Sequence, residues 1–466
     1  MYKIIHLIFL VFISFNYLHA MEVSYSFVEV SKHKEVRKKN ESKSMVLASV
    51  SKLYTLYYVL QNLDENKVIP TSVYQTKDAV LKNKVLEGNL YLKGEGNPFL
   101  YAQNIVDLIY QIKDQGIDSI NGEFFVCTDG FWSTKRLSPL GLEDQADNPG
   151  MGPLNFEFNR FTVDKLTHQP IPLMDYLRIK DKKLNEPGLK FKYDSGEKET
   201  WIKNSNERHS YREALPVRKS SLFAAHFFRY LASIHNLKLP SPKATQSCNT
   251  LHEKLSLLAY EKSLPLYRLA ELAIEYSNNL IAEMLLQLVS PGKPREAAKE
   301  MLSWYRKNFK DVPEWKKSQL INASGLSLEN QTSARNLAHL LSKIHARPSL
   351  KQNRDNQKKR KFISYLSING HSGGIRRRVN SPEMSFHVYA KTGSLFYVNN
   401  LAGYIRSKSG KLYSFAIFTT DSEKRDLLNK KNSSKVNKVR LGNKKWYRES
   451  SSKIDKILID FLKTAS

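Results

Sequence analysis

"VLASVSKLYTLYYVL", residues 46–60, sets Ser49 and Lys52 three positions apart at the front of an apolar-periodic run. Leu53, Leu56, Tyr57, Leu60 and Leu63 share one face at helical spacing, which predicts a buried helix over residues 49–63 with Ser49 at its N-terminal edge. On such a helix the lysine amine lies beside the serine hydroxyl, and the helix start adds backbone donors and positive potential. A lysine held partly out of water sheds its proton more readily and becomes a base toward that hydroxyl. The spacing alone decides little. It recurs at Ser31/Lys34, Ser195/Lys198 and Ser450/Lys453, and a serine in this position is more often a simple cap.

A chain of 466 residues has room for two or three domains, and 41% hydrophobic with 11% aromatic residues fits a folded protein rather than a disordered one. The opening "MYKIIHLIFLVFISFNYLHA", residues 1–20, places Lys3 before an apolar core and Ala20 at a small-residue cleavage position. That pattern reads as a secretory signal peptide ahead of an exported, periplasmic body, with an uncleaved membrane anchor as the alternative. Two cysteines, Cys127 and Cys248, exclude a disulfide framework, leave room for one bridge and offer no metal-binding spacing. The formal charge of +28, from 73 Lys and Arg against 45 Asp and Glu, suits an anionic polymer or surface. Without zinc-finger spacing, a helix-turn-helix cue or an aromatic-basic pattern, nucleic acid is not the expected partner.

Along the chain, "VLEGNLYL" (85–92) predicts a strand, residues 101–115 a helix closed by Gly116, and "SINGEFFVC" (119–127) a turn into another strand. A loop-rich stretch covers 138–155, helical periodicity returns over 252–289 and 333–344, and the charged run 347–361 reads as an exposed loop. Then come strands: "SFHVYAKTGSLF" (385–396) and "NLAGYIRSKSGKLYSFAIFTT" (400–420), the second a hairpin turning at "SKSG". A closing helix carries Ile454, Ile457, Leu458, Phe461 and Leu462 on one face. The first helix lacks a sheet and the last strands lack a covering layer, so they are expected to pack together. The predicted division is a discontinuous catalytic part, 21–75 and 245–466, around inserted smaller β/α units at 76–244.

Two further motifs give the first its meaning. Ser277-Asn278-Asn279 opens "SNNLIAEML", and Lys391-Thr392-Gly393-Ser394 lies in a predicted strand. A Ser-x-x-Lys, a Ser-x-Asn and a Lys-Thr-Gly in that order form the three-part signature of penicillin-binding proteins and serine β-lactamases. The chain resembles the low-molecular-mass class C penicillin-binding proteins, the D-alanyl-D-alanine carboxypeptidase/endopeptidases of serine peptidase family S13. "LASVSK", "LYLKGEGNPFL", "SNNLIAEML", "ASGLS" and "AKTGSLFYVNNLAGYI" each look like a family segment, and the long gap between Ser49 and Ser277 suits a family that inserts domains there. Departures are Leu47 where the family has Pro, Asn97 where it has Asp, "NASGLS" for "DGSGLS", and the loop "NGHSGGIRRR".

The resemblance implies an α/β (α+β) fold: an antiparallel sheet flanked by helices, like that of penicillin-binding proteins and serine β-lactamases, with insertions. It also implies roles. Ser49 would be the nucleophile and Lys52 its base; Ser277 and Lys391 would pass a proton to the leaving amine, and Asn279 would hold the substrate amide. Thr392 would bind the terminal carboxylate, Gly393 would keep the strand bare, and the N–H groups of Ser49 and Ser394 would form the oxyanion hole. No metal or organic cofactor is implied. The implied partners are peptidoglycan stem peptides and covalently bound β-lactams, with an anionic wall or membrane surface suggested by charge. The residues also allow two rivals: a non-catalytic wall-binding protein on the same scaffold, and an esterase-type nucleophile elbow at "GHSGG" centred on Ser372. The segment "LHEKLS" starts like a zinc-protease helix, but Ser256 stands where the second histidine belongs, leaving His252 an ordinary histidine.

Overall fold

Strands from the two ends of the chain meet in one sheet. The computed structural model describes residues 21–186, 189–207, 212–347, 360–379, 381–429 and 434–465. The expected signal peptide and most of the basic run 347–361 lie outside them. The six-stranded sheet runs in the order Ser367–Ile368, Val388–Leu395, Val398–Arg406, Leu412–Thr420, Glu22–Glu29, Lys34–Lys39, antiparallel throughout. Its central strands, Val398–Arg406 and Leu412–Thr420, are almost wholly buried because both faces are covered. Phe415 and Ile417 point into one core, while Ala416 and Phe418 point into another, as the two-residue period of a strand requires.

The C-terminal helix, Ser434–Thr464, covers the first face through Ile454, Leu458 and Phe461, the last stacked on Phe27 at 4.1 Å. The second face carries the Lys52–Asn62 helix with Leu266–Glu275, Asn279–Gln287, Pro294–Asn308 and Ala334–Ala346. Leu53, Leu56 and Val59 are at most 1% exposed. Fully burying a side chain of that size stabilises the fold by about 1.5–3 kcal/mol.

The middle of the chain has its own core. A five-stranded mixed sheet runs Pro242–Thr245, Phe124–Cys127, Leu90–Gly94, Pro70–Thr76, Leu255–Lys262. The helices Ala102–Lys113 and Ser220–Ile234 pack into that core. Two three-stranded sheets follow at 160–216.

Three local readings change. Residues 85–92 are not one strand: Val85–Glu87 and Leu90–Gly94 belong to different sheets. The chain breaks at Gly88, where a Cβ would lie 2.5 Å from that of Ala79. The helical period over 252–289 holds only from Leu266 on, since Leu255–Lys262 pairs antiparallel with Pro70–Thr76 and sheet formation overrides the local pattern. The predicted 49–63 helix starts as a 3₁₀ turn, Ala48–Ser51, before the α-helix proper.

Cys127 and Cys248 form a disulfide buried beside Tyr91 and tie the Phe124–Cys127 strand to the loop before Leu255–Lys262. The bridge spans 121 residues of sequence. Replacing both cysteines with alanine is expected to lower unfolding stability by about 2–5 kcal/mol, read from urea titration of the oxidised protein beside the variant.

Candidate active site

The site is built on a backbone that leaves no room for side chains. At Gly393 a Cβ would sit 2.8 Å from the Leu47 carbonyl oxygen and 3.1 Å from the Ser49 nitrogen, so the Val388–Leu395 strand lies directly on the Ser49 turn. At Gly325, in the left-handed region at φ +84°, a Cβ would meet the Ala48 carbonyl oxygen at 1.9 Å. Opposite Gly393 on the next strand, Asn400 donates from Nδ2 to the Val46 and Leu47 carbonyls at 2.7 and 3.0 Å. The Ser49 turn is thus clamped between a bare strand and a tight loop.

Lys52 is fully buried, and its Nζ donates to Ser49 Oγ at 3.0 Å, Asn279 Oδ1 at 2.7 Å and the Ser324 carbonyl at 2.8 Å. Burial drives its pKa down to about 7, against the opposing pull of Glu283 and Asp147. Ser277 occupies the left-handed region at φ +52°, in the break between the Leu266–Glu275 and Asn279–Gln287 helices. Lys391 reaches it from the strand, donating to Ser277 Oγ at 2.9 Å and to the Thr392 carbonyl at 2.7 Å. Desolvation and then repulsion from Lys52 hold the Lys391 amine well below the usual lysine range. Ser49, Ser277, Asn279, Thr392 and Ser394 line one cleft of about 700 Å³. Lys52 and Lys391 lie beneath it, and Gly374 backs Thr392, where a Cβ would come within 2.5 Å of the threonine oxygen.

Ser372 is elsewhere. Its Oγ accepts from the Ile368 N–H at 3.1 Å, and the segment after it is a three-residue 3₁₀ turn, Gly373–Ile375, rather than the α-helix of a nucleophile elbow. The esterase reading is overturned. His252 sits exposed on the His252–Lys254 turn.

The profile of the D-Ala-D-Ala carboxypeptidase 3 (S13) family matches residues 17–158 and 241–440. The chain belongs to that family. It is a serine-type D-Ala-D-Ala carboxypeptidase, a hydrolase, and the non-catalytic reading falls. It is 25% identical over 420 residues, 84% of each chain, to D-alanyl-D-alanine carboxypeptidase DacB of Haemophilus influenzae. The fold is that of penicillin-binding protein 4 from the same organism, with a TM-score of 0.68 at 20% identity over 86% of this chain and 90% of the other. It is also shared with the Bd3459 predatory endopeptidase of Bdellovibrio bacteriovorus, solved with its immunity protein Bd3460, at TM-score 0.55 and 11% identity over 95% and 93%.

Sequence reasoning missed part of this S13 site. Glu283, one helical turn beyond Asn279, is buried and accepts from the N–H groups of Ala323 and Ser324 at 3.2 and 2.9 Å, fixing the loop whose carbonyl receives Lys52. Its i+4 spacing from Asn279 was the available signal. Asp147, Phe158 and Arg160, from the middle segment, form a further wall of the cleft with Phe99 and Tyr101. The Asp147 carbonyl accepts from Asn279 Nδ2 at 2.9 Å. Arg160 is largely buried, and its Nε has no hydrogen-bond partner among the described residues. No local pattern marks these residues, because the fold alone brings them to the cleft.

Proposed function

We propose that the S13 chemistry runs through Ser49. Its Oγ attacks the carbonyl carbon between the two D-alanines while neutral Lys52 takes the hydroxyl proton. The N–H groups of Ser49 and Ser394 stabilise the oxyanion. The tetrahedral intermediate collapses with the C–N bond breaking, the D-alanine amine taking its proton by way of Ser277 and Lys391. Asn279 holds the substrate amide, Thr392 the terminal carboxylate, and Gly393 lets the substrate backbone approach. Water then hydrolyses the ester. The observation that carries this reading is the buried, neutral-leaning Lys52 amine within 3.0 Å of Ser49 Oγ.

The same acyl-enzyme serves DD-endopeptidase cleavage of peptide crosslinks, and β-lactams would acylate the same oxygen. We further read the chain as exported by its N-terminal segment to act on peptidoglycan in the periplasm. Among the described residues no helix is long and apolar enough to cross a membrane. The division into a catalytic part (21–75, 245–466) around an insertion (76–244) is supported by two separate cores, with its seam at the paired strands Pro70–Thr76 and Leu255–Lys262.

The test is to incubate the purified protein with a soluble D-Ala-D-Ala pentapeptide and with crosslinked muropeptide dimers. Free D-alanine and monomers are expected; the absence of both products sinks the reading. The Arg160 guanidinium lines the cleft and is suited to a substrate side-chain carboxylate. Arg160→Ala is expected to raise KM about tenfold or more for a peptide carrying that carboxylate, with kcat retained and little change for a peptide lacking it, as measured by D-alanine release.

A further inference from the structure

A second cavity, of about 770 Å³, lies within residues 173–239 and shares no lining residue with the catalytic cleft. It falls between the two stretches that match the S13 profile, so family membership assigns it nothing. Two of its lining rings stack, the buried Tyr176 lying parallel to the half-buried His226 at 4.0 Å with 10° between planes. Its rim is cationic. Arg178 and Lys238 are exposed there, and Arg229 is steered by a bond from its Nε to the Leu239 carbonyl at 3.1 Å, leaving its terminal amino groups unbonded among the described residues. Among the described residues Asp175 is the only acid on the wall.

A flat ring stack offers a platform for the apolar face of a sugar, and guanidinium groups around it select carboxylates. A polymer of sugars bearing peptide carboxylates has both features. We propose that this cavity is a second, non-catalytic site that grips the anionic glycan–peptide polymer of the cell wall, holding the enzyme on the strand whose peptides the Ser49 cleft cuts. The inference rests on the reading of peptidoglycan as substrate. It gives the excess positive charge of the chain a specific place to act, rather than a diffuse one.

The experiment uses the full chain carrying Ser49→Ala, so that isolated sacculi are not digested, with and without Arg178→Glu/Lys238→Glu. Cosedimentation is expected to show sacculus affinity falling about tenfold or more in the double variant, with weaker binding of the parent as salt rises. In the Ser49-intact background the same pair is expected to leave kcat/KM on a soluble D-Ala-D-Ala peptide within about twofold, which reports the fold and the catalytic reading independently of wall binding. A control reversal on the exposed edge strand, Lys34→Glu/Lys39→Glu, is expected to leave sacculus binding intact. Unchanged affinity in the Arg178/Lys238 variant, an equal loss in the edge-strand control, or a loss seen only on anionic lipid vesicles would each overturn the proposal.

Discussion

Ser49→Ala is expected to abolish covalent labelling by a fluorescent penicillin and to lower kcat on D-Ala-D-Ala peptides by about 10⁴-fold or more, as removal of a serine nucleophile does elsewhere. The Ser49 hydroxyl has the Lys52 amine at 3.0 Å, and the bare backbone of Gly393 lies against its turn. Ser372→Ala should leave label and turnover unchanged, since that hydroxyl is engaged by the Ile368 N–H. Denaturing electrophoresis of labelled protein separates the outcomes. A label that persists in Ser49→Ala and vanishes in Ser372→Ala would reverse the assignment.

The second large effect belongs to Lys52. Replacing it with methionine, of similar length and without charge, is expected to lower the acylation rate about 10²–10⁴-fold, the range of a general base. In the wild type, burial sets the amine near pH 7, so the reactive neutral form grows as pH rises. Penicillin acylation should therefore climb about tenfold per pH unit well below 7 and level off above it, a limb that Lys52→Met flattens. Stability carries the same sign. Between about pH 7 and 10.5 the unfolded chain binds this proton and the folded one does not, so the Lys52 contribution to stability rises with pH across that window. Comparing urea midpoints of wild type and Lys52→Met at both ends of the window isolates it.

The sequence alone yields the chemistry more readily than the frame around it. Ser49, Lys52, Ser277, Asn279 and Lys391 sit in short motifs whose order is readable, and the apolar runs at 398–420 announce strands covered on both faces. Strand identity fails where local period and tertiary pairing disagree. Leu255–Lys262 shows a helical repeat yet is stabilised by its partner strand, and Gly88 splits what looks continuous because the turn at Thr76–Ala79 leaves no room for a side chain there. The Asn400 clamp, the Glu283 brace and the Arg160 wall are single residues whose roles exist only once distant segments meet. The disulfide was open for the same reason, since two cysteines 121 positions apart reveal nothing of their proximity.

The sheet that joins both chain ends also dictates when the enzyme can come alive. Glu22–Glu29 has as its neighbour Leu412–Thr420, nearly four hundred positions away, and the Ser49 turn rests on the adjoining strands. The middle segment needs no such late arrivals, because its sheet closes within residues 70–262. During vectorial synthesis that unit can condense early while the first strand waits for its mate, so the reaction centre is assembled last. A polypeptide that stops short of Leu412–Thr420 is then expected to be inactive, because the sheet beneath the Ser49 turn is incomplete without that strand.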